Sequence, residues 1–88
     1  IKSSAAQMCI RDRYIGVVID RFGKDVSVRP DGEQHFIARV AVAVSEPFFG
    51  WLTGLGKNVK ILSPAHVADA YLNLLREITE SYDNGEQK

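Results

Sequence analysis

The sequence predicts an α+β domain in which helices cover one face of an antiparallel sheet. Three observations point to it. Apolar residues recur at helical spacing in three separate stretches, through Ile15–Phe22, Phe48–Leu55 and Val67–Tyr82. Between the first two lie residues that alternate apolar and polar, first at Val26 and Val28, then from His35 to Val44. Between the last two lies a short apolar run, Val59-Lys60-Ile61-Leu62.

The elements follow in order. Ile15, Val18, Ile19 and Phe22 stand at i, i+3, i+4 and i+7, and Gly23 follows as a helix stop, which predicts a helix over about residues 12 to 22. The same stretch is rich in β-branched residues and can also be read as a strand. Val26 and Val28 begin a strand that turns at Pro30-Asp31-Gly32. The return strand runs from His35 to Val44, with Phe36, Ala38, Val40, Val42 and Val44 on one parity and His35, Ile37, Arg39, Ala41 and Ala43 on the other. Ser45 is a suitable N-cap, with Glu46 and Pro47 in the first turn of a helix carrying Phe48, Trp51, Leu52 and Leu55. Gly54 and Gly56 end it, and Gly50 inside it suggests the close approach of another backbone. After the strand at Val59–Leu62, Ser63 caps a last helix with Pro64 at its first position. That helix carries Val67, Tyr71, Leu74, Leu75, Ile78 and Tyr82, and Asn84-Gly85 stops it.

This order is a ferredoxin-like α-β-β-α-β-α arrangement with its first strand missing or replaced. The run from Ile1 to Arg13 has no clean period and resembles the junction sequence at the ends of some metagenomic reading frames. We therefore expect residues 1–13 to be a non-native or disordered leader, 14–82 the domain and 83–88 a disordered tail. A missing first strand leaves a sheet edge unpaired, and residues 1–13 or a partner could fill the place.

Composition narrows function. Eleven basic residues balance eleven acidic ones in 88 residues, so the chain as a whole does not attract nucleic acid or anionic lipid, and any such role needs a local patch. The single cysteine, Cys9, allows no internal disulfide and no thiolate zinc site, consistent with a cytoplasmic setting. No apolar run nears the roughly 20 residues of a membrane span.

Signals for catalysis are weak. His35 and His66 have no metal-ligand spacing and read as a sheet-surface and a first-turn residue. Cys9 lies in the suspect leader. Ser63 reads as a cap, Gly50, Gly54 and Gly56 form no phosphate loop, and Glu77 and Glu80 read as solvated helix surface. Asp20 with Asp25 makes at most a nominal carboxylate pair. We expect no enzyme activity, no metal and no cofactor.

One surface stands out. If Val26, Val28, Phe36, Val40, Val42, Val59 and Ile61 face the helices, the opposite parity presents Arg29, His35, Ile37, Arg39 and Lys60, with Ala41 and Ala43 between. That face is either simply solvated or a docking surface for a partner domain, a second subunit or an anionic ligand. Nucleic acid is disfavoured, because no aromatic stands there for stacking. Phe49, off the main stripe of its helix, is a candidate interface aromatic or a residue at the rim of the core.

A resemblance joins these pieces. Ile15 to Asp25, then Phe48-Phe49-Gly50-Trp51-Leu52 with Gly54 to Gly56, then Val59-Lys60-Ile61-Leu62-Ser63-Pro64 together resemble the C-terminal extension (WCX-type) domain of WYL-domain transcriptional regulators, over about residues 14 to 82. The resemblance implies a bacterial, DNA-binding regulator with an N-terminal winged helix, a WYL barrel that senses a ligand, and a ferredoxin-like extension that serves regulation and dimer contacts. It implies as partners the protein's own WYL and winged-helix domains and a homo-oligomer, with DNA bound only through the N-terminal domain and no membrane. The winged helix and the Trp-Tyr-Leu barrel have no counterpart in these residues, so no DNA-reading or ligand-binding residue is carried over. A free-standing ferredoxin-like domain sensing a small ligand is the alternative reading, and an acid–base enzyme a third. The ligand, the operator and the oligomeric state are not written in the sequence.

Overall fold

In the computed structural model, which describes residues 3–23 and 26–83, nine residues from Ser3 to Arg11 form strand β1. A 3-10 turn at Asp12–Tyr14 leads into helix α1, Ile15–Phe22. Strands β2 (Ser27–Asp31) and β3 (His35–Ala43) form a hairpin, followed by helix α2 (Glu46–Leu55). Strand β4 (Val59–Ser63) and helix α3 (Ala65–Asp83) complete the order. The sheet order is β2-β3-β1-β4, and every neighbouring pair is antiparallel. This is the ferredoxin-like βαββαβ arrangement with a helix added at its end.

The first strand is therefore not missing. Residues 3–11, set aside above as a leader, pair with β3 along their whole length and with β4 on the other side, the ladder shifting register between Gln7 and Met8. Ala6, Met8 and Ile10 point into the core and are fully buried, while Gln7 and Cys9 between them are half-buried on the other face. The period of two was present; small residues at Ser3–Ala6 hid it. The expected disorder of this segment is corrected, and of the expected tail Asp83 is the last residue of α3 while 84–88 lie outside the described residues. Asp25 and the Asn84-Gly85 stop lie outside them as well.

The core explains the one-sided layering. Val18 of α1, Phe48, Phe49 and Leu52 of α2 and Val67 of α3 cluster with Ala6, Met8, Ile10, Phe36, Ala38, Val40 and Val42 of the sheet. All three helices thus lie on the same face: α1 and α2 connect β1 to β2 and β3 to β4 across it, and α3 packs beside them through Val67. Ile15–Phe22 is helical, so the strand alternative falls; Gly23 ends the helix with its N–H on the Ile19 carbonyl. Of that stripe only Val18 is fully buried, and Ile19 is exposed.

Local chemistry sets the other boundaries. β2 starts at Ser27, with Val26 packed just before it, and includes Pro30 and Asp31; the turn proper follows, with Gly32 at φ 76°. Proline is tolerated there because β2 is an edge strand. Val44 lies past the end of β3 and is exposed, not inward. Ser45 caps α2, its Oγ accepting the Phe48 N–H at 3.4 Å. Gly50 has nothing within 4 Å of where a side chain would start, so the expected close approach does not occur. Ser63 ends β4 without capping α3; the Pro64 carbonyl accepts the first helical bonds, from Val67 and Ala68. α3 leans on the core only through its first half: Ile78 and Tyr82 of its predicted stripe are exposed, Tyr82 by 77%.

Candidate docking face

With every helix on one side, the other side of the sheet has no covering layer. Its residues follow from strand register, because partners across an antiparallel ladder share a face. Arg29 stands opposite Ile37, which stands opposite Cys9, which stands opposite Lys60, making one row across all four strands. Beside it run Asp31, His35 and Arg11, and on the other flank Ser27, Arg39 and Gln7. Ala41 opposite Ala5 and Ala43 opposite Ser3 continue the surface as a flat, small-residue end.

All five residues predicted for the face, Arg29, His35, Ile37, Arg39 and Lys60, are brought together on it. Arg29, Arg39 and Lys60 are exposed; His35 and Ile37 are half-buried. The structure adds Arg11, Gln7 and Cys9, missed because their strand was not recognised, and Asp31 and Leu62. Four cations, Arg11, Arg29, Arg39 and Lys60, thus meet one carboxylate, Asp31, in a chain of zero formal charge. The local excess is the patch that overall composition concealed. Two contacts knit the surface: Arg11 donates to the Gln34 amide oxygen at 3.2 Å, and the Cys9 thiol donates to Asp31 Oδ2 at 3.5 Å. Desolvation first, then the Asp31 hydrogen bond and charge, push the Cys9 thiol above its ordinary range, against a smaller opposing pull from Lys60.

No aromatic belongs to this face among the described residues. Phe36 points to the helices, and Phe22, Phe48, Phe49, Trp51 and Tyr71 sit in or against the helical layer. Phe49 needs a correction: it is only 5% exposed, held between Phe48 and Tyr71, and is a core residue of the chain, not an exposed contact. Trp51, placed on the core stripe above, is the half-buried one, edge-on to Phe22 at 5.3 Å with the Arg21 guanidinium 5.9 Å from its ring centre. The helix turns about 100° per residue, and contact with α3 decides which neighbour is buried.

The other candidates stay apart. His35 is on β3, while His66 is in the first turn of α3, where Nε2 lies 3.3 Å from Ser4 Oγ. Among the described residues no three His, Cys, Asp or Glu side chains gather as a metal site would need, and no helix is long and apolar enough to cross a membrane.

A family model described as WCX domain matches residues 2–79. The chain belongs to the WCX domain family. The match takes in β1 as well as α1, α2 and most of α3, and agrees with the resemblance carried by the Phe48–Leu52 and Val59–Pro64 segments. WCX domains are found in WYL-type regulators, which makes this WCX chain a regulatory domain in general terms. Among curated proteins none matches the chain.

Proposed function

We propose that this WCX chain is the C-terminal regulatory and oligomerisation domain of a bacterial, cytoplasmic WYL-type transcription regulator, and that its uncovered sheet face is where it docks. The single observation that carries the reading is that face: a four-strand surface with no roof, cationic across Arg29, Arg39 and Lys60 and flat at Ala41 and Ala43. Flat small residues let a neighbouring backbone approach, and an unbalanced row of cations selects an acidic counterpart and fixes its register. The WYL domain of the same protein or of a second subunit is the partner that this chemistry and the family suggest. DNA contact belongs to a winged helix elsewhere in the regulator, and the absence of stacking aromatics on the face supports that division. In this reading the domain performs no chemistry and needs no cofactor; it transmits a ligand signal through contact.

The test is charge reversal in the whole regulator. Arg29→Glu with Arg39→Glu should leave the fold intact by circular dichroism, because both side chains are exposed. It should weaken inter-domain docking, read as a changed light-scattering mass or a lost response at the operator. Unchanged assembly and unchanged regulation would remove the docking proposal. A metabolite that raised the melting temperature of the 88-residue chain alone would favour the small-ligand sensor instead.

A further inference from the structure

The strands of the sheet are unequal in length. β3 has nine residues and pairs with β1 without a break as far as Ala43 and Ser3. Its other neighbour, β2, has five residues and begins at Ser27, opposite Arg39. Residues 40–43 of β3 therefore have a neighbouring strand on one side only. The chain before Ser27 does not run along them. The Val26 N–H returns to the Gly23 carbonyl at 3.5 Å and Val26 packs against the core, which takes the chain toward α1.

The ladder shows which backbone groups are left free. The Asp12 N–H donates to the Gln34 carbonyl at 2.9 Å. Hydrogen-bonded pairs alternate along an antiparallel ladder, so Phe36, Ala38, Val40 and Val42 are the residues of β3 that bond β1. Arg39, Ala41 and Ala43 turn their N–H and C=O groups the other way, toward the line of β2. Pro30 agrees with this: it stands opposite Phe36, where β2 is not called on for an N–H. At Ala41 and Ala43 there is no β2 to bond. Among the described residues only the Ser45 hydroxyl reaches these groups, donating to the Ala43 carbonyl at 3.2 Å. A cleft of about 400 Å³ runs beside this edge, lined by Phe22, Val26 and Val40 toward the helices and by Ala5, Arg39 and Ala41 toward the open face. The matching overhang of β1, past the end of β4, is met by α3 instead, with His66 Nε2 3.3 Å from Ser4 Oγ.

We propose that the free edge of β3 at residues 40–43 is a strand-addition site for a short, extended, acidic segment of a partner protein, which takes up the line of β2. Ala41 exchanges two hydrogen bonds with the residue opposite it, and the Ala43 N–H gives a third. Strand alternation then sets the side chains of the guest. Guest residues opposite Val40 and Val42 point toward the helices and enter the cleft at Phe22 and Val26, so they are apolar. The guest residue opposite Ala41 stands on the open side, diagonal to the exposed Arg39, and a carboxylate there meets the guanidinium. The small side chains of Ala5 and Ala41 leave room for it. The partner segment is thus one that alternates apolar and acidic residues. The proposal rests on the edge of the sheet and not on docking at its open face, and it stands without that reading.

The register makes the test specific. The probe is a capped pentapeptide, Val-Glu-Val-Glu-Val, titrated into the isotope-labelled 88-residue chain and followed by NMR. It should shift the Ala41 and Ala43 amide resonances saturably. Methylating the two glutamate amides, which face β3, should weaken binding roughly tenfold or more, while methylating the inner valine amide, which faces water, should not. Ala41→Pro should bind no peptide yet keep its circular dichroism, because the N–H it deletes bonds nothing in the fold. Arg39→Glu should lose the glutamate peptide and gain Val-Lys-Val-Lys-Val. Lys60→Gln, on the open face two strands away, should change nothing, which separates this edge from the docking face. Absence of saturable shifts at Ala41 and Ala43, equal binding of the two methylated peptides, or a loss on Lys60→Gln as large as on Arg39→Glu would each overturn the proposal.

Discussion

Tyr71 of α3 lies over Phe49 of α2, their ring centres 5.2 Å apart and their planes inclined by 40°. The pair is the bolt between the added helix and the sandwich below it. Tyr71 also places its hydroxyl 3.1 Å from Thr53 Oγ1, itself bonded to the Phe49 carbonyl at 2.9 Å. Phe49→Ala removes a nearly fully buried ring and should cost about 3–5 kcal/mol. That is a large part of the stability of a domain this small, so urea denaturation should show a much lower midpoint. Tyr71→Phe keeps the ring and loses only an exposed hydroxyl contact, so it should change stability by about 0.5 kcal/mol or less. Equal effects of the two substitutions would mean that the rings do not carry the contact.

Removing residues 1–11 should abolish the fold. β1 is an interior strand, bonded to β3 and β4, and it buries Ala6, Met8 and Ile10 fully. Its loss leaves β4 without a neighbour and opens the floor of the core, beyond what a domain of under ninety residues can absorb. The expected outcome is loss of the cooperative thermal transition in circular dichroism. A truncated chain that melts like the full one would show that the segment is dispensable.

How far the sequence revealed this structure depends on where a residue's burial is decided. The hairpin, α2 and the parity of β3 were legible, because Phe36 to Val42 alternate over seven residues and Ser45 caps by purely local chemistry. β1 was not, because two of its small residues, Ser4 and Ala5, carry little hydrophobic signal and its role depends on pairing with residues some thirty positions away. Phe49 and Trp51 exchanged places for a similar reason: only the arrival of Tyr71 decides which aromatic is covered. The candidate docking face was legible in β2, β3 and β4 but lacked the row that β1 supplies, including Arg11 and Cys9.

Cys9 should behave as a slow thiol. Desolvation is the largest cause of its raised pKa, followed by the hydrogen bond and charge of Asp31, so the thiolate is disfavoured in the folded state. The sign for stability follows. The native chain holds the proton more tightly than the unfolded one, so this contribution is present below about pH 9 and is lost as pH climbs through the native value. Reaction with a disulfide reagent at pH 8 should therefore be slower in the folded chain than in urea. Asp31→Asn should speed it, and Lys60→Gln should slow it, since the lysine favours the thiolate. Shifts in the same direction for both would show that charge is not what tunes the thiol.

Gly50 within α2 and Gly56 at its end should respond to alanine with opposite signs. Gly50 sits inside the helix, exposed, with nothing within 4 Å of a new methyl group. Alanine there restores helix propensity and restricts the unfolded chain, so Gly50→Ala should stabilise by about 0.5–1 kcal/mol. Gly56 also has open space around it, but its φ is +61° with ψ −132°, a backbone state that side-chain-bearing residues rarely adopt. Gly56→Ala should therefore destabilise by about 1–3 kcal/mol through strain alone. Because neither site is crowded, the difference in urea midpoint between the two variants isolates backbone conformation from packing. Should both alanines stabilise, the helix would have to end without the left-handed turn at Gly56, and the path from α2 into β4 would differ from the one described.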